Sequence, residues 1–431
     1  MFRSAVIVLI TAVAVHFGPH FFTSKLPLHF GGSAAEGFEP VEKAFRQLFE
    51  WNWEEEGAAF TVYHKGNLVV DLWGGYADSE SLRPWKQDTI TLAMSSTKVL
   101  GAICMAMLVD RNLLRYDALI SDYWPEFGQN GKQNITVAML LCSTTRYHFT
   151  TSRIAYLDAV VSREEALSTS PTILRLIEQQ KPNWPPGTDT GYHAFTFGWI
   201  VEELVKRVDP LHRNFSRFLH EEISLPHGID FYVGLPLELY HRVARVSLES
   251  VGGIFGQALS DFNFVSALYA LFSQGPDSRI AKVFRTVPWL TSHGRWPFND
   301  PELASCQNVA VGGSGTARGF AKILSLFADG SLVKEETLKL LRDPVVLHTK
   351  DSVMGVYDAF RGHGFMYTKR PGQQKADDWL IGHSGFGGMY AKMDWENELA
   401  FVYLSNSLKA GFGDVVRTWA HLQTSLYAST F

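Results

Sequence analysis

Cysteine is scarce: three residues in 431, Cys104, Cys142 and Cys306, with no Cys-x-x-Cys spacing among them. An odd number so placed excludes a disulfide framework and offers no zinc signature. Charge is also sparse, at 19% of residues with a net of -5, so the basic excess that a nucleic-acid partner requires is missing. There is no Gly-x-Ser-x-Gly elbow, no His-Glu-x-x-His and no Walker A loop, and these absences remove three common routes to catalysis or nucleotide binding. Internal repeats and low-complexity segments are lacking too. What is present is a 46% hydrophobic chain, long enough for one large or two ordinary domains with a sizeable core.

The N-terminus carries Arg3 and then the apolar run Ala5 to Val15, which stops at His16. That run falls short of the ~20 residues of a comfortable membrane span. Residues 1–24 are therefore expected to be a signal peptide or signal-anchor, with secretion, membrane attachment through this end or, alternatively, mitochondrial import. Two sequons, Asn134-Ile-Thr136 and Asn214-Phe-Ser216, are compatible with the secretory route.

Helical periodicity over Glu39 to Glu50 comes from Val41, Ala44, Phe45, Leu48 and Phe49. Two strand-like runs follow, Gly57–Tyr63 and Leu68–Trp73, joined by a turn at His64 to Asn67. Residues 211–345 read as mostly helical, and Gly312 to Gly319 as a tight turn. Strands return at Met389–Asp394 and Leu399–Leu404, and Gly411 to Tyr427 reads as a closing helix.

The chain is organised around Ser95-Ser96-Thr97-Lys98. Val99, Ile103, Met107 and Leu108 predict a helix whose mouth holds the serines. At i and i+3, Ser95 and Lys98 share a face, whereas Ser96 and Lys98 do not. A hydroxyl, an amine one turn on, and the unpaired N–H groups of a helix start make the minimum kit for nucleophilic acyl transfer. The same residues also suit a plain helix cap followed by an exposed lysine, so other parts of the chain must decide.

Downstream, Tyr192-His193-Ala194 follows Pro186-Gly187, and Gly382-His383-Ser384-Gly385 precedes the last strands. With Ser95-x-x-Lys98, Val69–Gly75, Tyr123–Phe127 and Thr196–Trp199, this ordered set over about 38–426 resembles the serine β-lactamase and penicillin-binding-protein family. Within it the likeness is to class C β-lactamase-like esterases and animal serine β-lactamase-like proteins. The resemblance implies an α/β (α+β) fold of the β-lactamase/transpeptidase type. An antiparallel sheet from both chain ends (about 38–90 and 345–426) would be flanked by helices, with a mostly helical lobe (about 95–345) inserted.

The implied function is a serine hydrolase of small-molecule esters or amides, with no cofactor and no metal. Ser95 would be acylated, and Lys98 would take or relay its proton, which requires an amine kept neutral near pH 7 by desolvation and cationic or helix-end neighbours. Tyr192 would act as base or acid, as a phenolate held by a nearby ammonium. Phe386 and Ser95 would supply oxyanion N–H groups, and His383, Ser384 and Gly385 would bind substrate where relatives have Lys-Thr-Gly. A histidine there makes the charge pH-dependent. Ala194 replaces the family's asparagine, and Cys142 to His148 replaces a common Ser-His-x-x-Gly turn. Alternative expectations are a catalytically silent binding or assembly protein of this fold and a peptidoglycan-type peptidase.

Overall fold

The computed structural model describes residues 26–141, 144–145, 149–150, 154–168, 170–184, 191–260, 275–290, 297–354, 358–371, 378–410 and 416–429. The expected signal segment 1–24, Cys142 and most of the 142–148 turn lie outside the described residues.

Three strands open the chain: β1 (Phe30–Ala34), β2 (Gly57–His64) and β3 (Asn67–Asp78). Three short ones form a separate small sheet: β4 (Thr91–Leu92), β5 (Phe231–Val233) and β6 (Gly313–Gly315). Six more close the chain: β7 (Val346–Lys350), β8 (Asp358–Gly362), β9 (Phe365–Lys369), β10 (Trp379–Gly385), β11 (Met389–Asp394) and β12 (Leu399–Ser405).

The large sheet runs β1-β3-β2-β12-β11-β10-β9-β8-β7, with a two-residue strand at Arg83–Pro84 beside β3. Every pairing in it is antiparallel, and the first and last parts of the chain meet where β2 pairs with β12. The sheet starts ahead of residue 38, because β1 adds an edge on β3.

Period-two alternation decides which core each side chain enters. Along β12, Leu399, Phe401 and Tyr403 join one cluster, and Ala400, Val402 and Leu404 join the other. The first cluster is closed by helix α1 (Glu39–Glu50) through Phe45 and Leu48, and by the C-terminal helix through Trp419 and Leu422. On the opposite face lies the larger core. It contains helix α2 (Lys98–Asp110), buried at every position from Lys98 to Leu108, and packs α3 (Thr196–Val208) and α4 (Ala317–Ala328). A helix apolar all round can only be central, and this places its first residue, Lys98, deep in the protein.

Two expectations change, the second only at Val416, since 411–415 lie outside the described residues. Gly312 to Gly319 is no turn: Gly313–Gly315 is β6, central in its small sheet, and Thr316 caps α4 through its side chain. Glycine is required because a Cβ on Gly313 would sit 2.4 Å from Thr97 Oγ1. The closing helix, α5, spans Arg417–Tyr427, with Val416 as its N-cap. In the sequon at Asn214, the side chain caps the helix Phe215–Leu219 through Oδ1 and donates its amide N–H to Gln307 Oε1 at 3.0 Å. Among the described residues no helix is long and apolar enough to cross a membrane.

Candidate active site

Ser95 sits in a 3-10 turn, Met94–Thr97, that runs directly into α2. The turn is held in an unfavourable backbone: Met94, a buried non-glycine, has φ +47°, a state that costs on the order of 1–3 kcal/mol and persists only when its surroundings over-determine it. Those surroundings are on hand. Thr97 Oγ1 donates to Met94 O at 2.6 Å and accepts from Gly313 N at 3.2 Å, and Ala93 N donates to Gly313 O at 2.9 Å. β6 therefore clamps the serine turn from one side.

From the other side comes the end of β10. A Cβ on Gly385 would lie 2.8 Å from Ala93 O and 2.9 Å from Ser96 Oγ, so only glycine lets the strand approach this closely. Its neighbours His383, Ser384 and Phe386 are thereby brought to the rim of the serine turn. Ser95, Lys98, Tyr192, His383 and Gly385 meet here, although they come from a 3-10 turn, a helix start, an irregular segment and a strand end.

Lys98 Nζ lies 3.4 Å from Ser95 Oγ, 3.0 Å from Ala194 O and 2.9 Å from Ala310 O. Two carbonyls thus take two of its N–H groups. Burial, followed by the charge of Arg361, drives the Lys98 amine well below the usual lysine range. The Tyr192 hydroxyl shares a hydrogen bond with Ser95, and the Tyr192 ring stands 4.8 Å from Lys98 Nζ. Burial pushes the phenol upward, outweighing the lowering by that bond and by Arg361. The depressed amine agrees with the expectation of a neutral lysine, whereas the raised phenol disfavours the phenolate form of Tyr192.

His383 is buried, its ring centroid 6.1 Å from that of Tyr192, and its Nδ1 sits 2.6 Å from Ser384 O. That carbonyl can only accept, so Nδ1 carries the proton. Burial, with the nearby Lys98 and Arg361, drives the imidazole well below its ordinary value. The histidine that replaces the family's lysine is accordingly neutral at physiological pH, a stronger loss of charge than a pH-dependent cation implies.

Two charged residues here escaped sequence reasoning. Arg361, on β8, lines the same cleft as Lys98, Tyr192 and His383, with its guanidinium carbon 5.7 Å from the Tyr192 ring centre. Asp351 holds it at 2.6 Å and accepts the backbone N–H of Val353 and Met354. No local spacing marks either residue, since only the sheet order carries β8 to the site. His193 also lines the cleft. Its Nδ1 meets Thr196 Oγ1 at 3.2 Å, Nε2 has no partner, and burial pushes it down to about 3. The cleft is otherwise walled by apolar Leu140, Leu141, Phe197, Phe365 and Met366. Among the described residues no group of His, Cys, Asp and Glu could hold a metal.

Comparison with known proteins agrees with this geometry. The β-lactamase family model matches residues 45–425. The chain is 27% identical over 398 residues to the esterase/β-lactamase LipL of Mycobacterium tuberculosis, covering 88% of this chain and 83% of that one. Among solved structures, a family VIII carboxylesterase superposes with a TM-score of 0.77 at 27% identity, covering 93% of this chain and 99% of that one. A penicillin-binding-protein homologue from Caulobacter crescentus gives 0.73 at 26%, covering 93% and 100%. With the serine turn, the buried lysine and the His-Ser-Gly strand end assembled in one cleft, and the family match running through nearly the whole fold, the chain belongs to the β-lactamase family of serine hydrolases.

Proposed function

We propose that the protein is a carboxylic-ester hydrolase that works through an acyl-enzyme on Ser95, preferring small uncharged esters to lactams. The carrying observation is the placement of Lys98 Nζ, bonded to two carbonyls and 3.4 Å from Ser95 Oγ. A neutral amine whose N–H groups are so used keeps its lone pair for the Ser95 proton. As Ser95 Oγ attacks the ester carbon, its proton passes to Lys98. By the family resemblance, the tetrahedral oxyanion would be held by the backbone N–H groups of Ser95 and Phe386. Tyr192 then donates its phenolic proton to the departing alkoxide and regains one from the Lys98 ammonium, so the charge balances. Water attacks the acyl-enzyme by the same steps reversed.

The preference rests on what the cleft lacks. Ala194 cannot hydrogen-bond a substrate amide as an asparagine would, and a neutral His383 offers no cation to the carboxylate of a lactam or of a peptidoglycan stem. Apolar walls favour an uncharged acyl group, and the relatives named above include esterases. Side-by-side rates on p-nitrophenyl butyrate and a chromogenic cephalosporin test this. The ester should have the larger kcat/KM by about 10²-fold or more, the value of leaving a buried polar partner unmade. A faster cephalosporin would sink the preference.

The pH profile follows from the same groups. The active form needs Lys98 unprotonated and Tyr192 protonated. Lys98 is depressed, so activity should fall on the acid side as the amine takes up a proton. Tyr192 is raised, so the plateau should extend beyond the ordinary tyrosine range on the alkaline side. The apparent constants belong to the pair. A kcat/KM that rises toward acid would show that the base has been misassigned.

A further inference from the structure

We infer that the face built on the helix Val251–Ser260 is a contact surface for a lipid bilayer. This helix is inside out. Gly253 and Gln257 are buried, with the Gln257 amide oxygen accepting from Arg417 N at 3.0 Å. Outward, one stripe at i, i+4 and i+8 holds Val251, Phe255 and Leu259, exposed by 46%, 65% and 74%, and Leu248 just before it is 58% exposed. Scattered exposed leucines need no explanation, but three large apolar side chains along one helix face, with the polar residue turned inward, do.

Behind the helix, Arg417 links its inward side to two tryptophans. Arg417 lies against Gly256, donates to Gly253 O at 3.2 Å, and stands 5.2 Å from the Trp53 ring. Trp53 in turn sits 4.9 Å from Trp51, which is 46% exposed. Tryptophan beside leucine and phenylalanine is the composition that settles at the boundary between headgroups and acyl chains.

A bilayer is favoured over a second copy by where the chain enters the fold. Tyr76 hydrogen-bonds Pro27 O at 2.9 Å through its hydroxyl and Glu56 O at 2.9 Å through its backbone N–H. The next residue back, Glu55, accepts from Ser250 N at 2.7 Å, at the start of the inside-out helix. Pro27 therefore lies at the same end of the molecule as the stripe, and the sequence ahead of it carries the apolar run from Ala5 to Val15. An apolar face on the folded domain, and an apolar stretch in the chain that precedes it, suit a single flat apolar partner. At the helix start Arg417 is paired with Glu249 at 3.6 Å and the Glu55 carboxylate is hydrogen-bonded by Ser250, so no excess of cations is gathered here. Attachment should thus be driven by apolar burial, with no need for anionic headgroups.

Flotation of the full-length protein with phosphatidylcholine vesicles tests the assignment. The parent should float, with little change between about 0.1 and about 0.5 M salt. The double variant Phe255→Ser, Leu259→Ser should lower the partition coefficient by about tenfold or more. Its hydrolysis of a soluble ester should be unchanged, which also certifies its fold. Hydrogen exchange on the parent needs no variant: amides of residues 251–260 should slow when vesicles are added. Lack of flotation by the parent would overturn the inference, as would a double variant that floats equally well or unchanged exchange over 251–260. A parent dimer that the double variant turns into monomer, without vesicle binding, would assign the stripe to a second copy instead.

Discussion

Ser95→Ala should abolish covalent labelling by a serine-reactive phosphonate and lower ester turnover by several orders of magnitude, on the order of the 10⁶-fold cost of removing the nucleophile in other serine enzymes. The neighbouring Ser96→Ala should keep most of the rate. The two hydroxyls are one residue apart and could hardly be placed more differently. Ser95 is half-buried and reaches both Lys98 and Tyr192. Ser96 is fully buried against Gly385, and its Oγ has no hydrogen-bond partner. It caps nothing, so alanine removes an unsatisfied buried hydroxyl and should leave stability equal or slightly higher. Peptide mass spectrometry locates the adduct, and kcat with thermal unfolding on both variants completes the comparison. An adduct on Ser96, or a Ser95→Ala enzyme with parental turnover, would remove the central assignment.

Tyr192→Phe should lower kcat on the order of 10²–10⁴-fold with KM little changed, the usual size of a general acid or base contribution. The ring would still fill its place beside Lys98 and His383, so the substitution deletes the proton and little packing. What is lost is the hydrogen bond shared with Ser95 in the resting state and the donor to the leaving oxygen afterwards. The deficit should shrink for esters with good leaving groups such as p-nitrophenolate, which need no proton, and be largest for alkyl esters. Measuring kcat across a series of leaving-group pKa values checks this. A Tyr192→Phe enzyme as fast as the parent on an alkyl ester would take the phenol out of the mechanism.

Much of this site is legible in the sequence, for a physical reason. Ser95 and Lys98 are three residues apart at a helix start, and local geometry alone puts them together. The periodicities that identify α1, β2, β3, β11 and β12 are likewise local, and so is the alternation that sends Leu399 and Ala400 to opposite cores. The ordered set of Ser95-x-x-Lys98, Tyr192 and His383-Ser384-Gly385 is enough to expect the β-lactamase fold, a serine hydrolase, and the residues that meet in one cleft.

Other properties belong to no local pattern. The glycines at 313 and 315 suggest a turn, because nothing nearby in sequence says that Thr97 and Phe231 press against them. Val415 and Val416 extend the apolar period of the last helix, yet the described helix starts only at Arg417. Asn214 satisfies a glycosylation pattern while its amide is committed to Gln307. Protonation states are the sharpest case. Burial first, and then neighbours brought in by the sheet such as Arg361 from β8, drive Lys98 and His383 down and Tyr192 up. The sequence by itself determined which groups are available for acyl transfer and in what fold. Tertiary structure alone decided which of them carry protons, because desolvation and long-range charge depend on what surrounds a side chain in space and not on what precedes it in the chain.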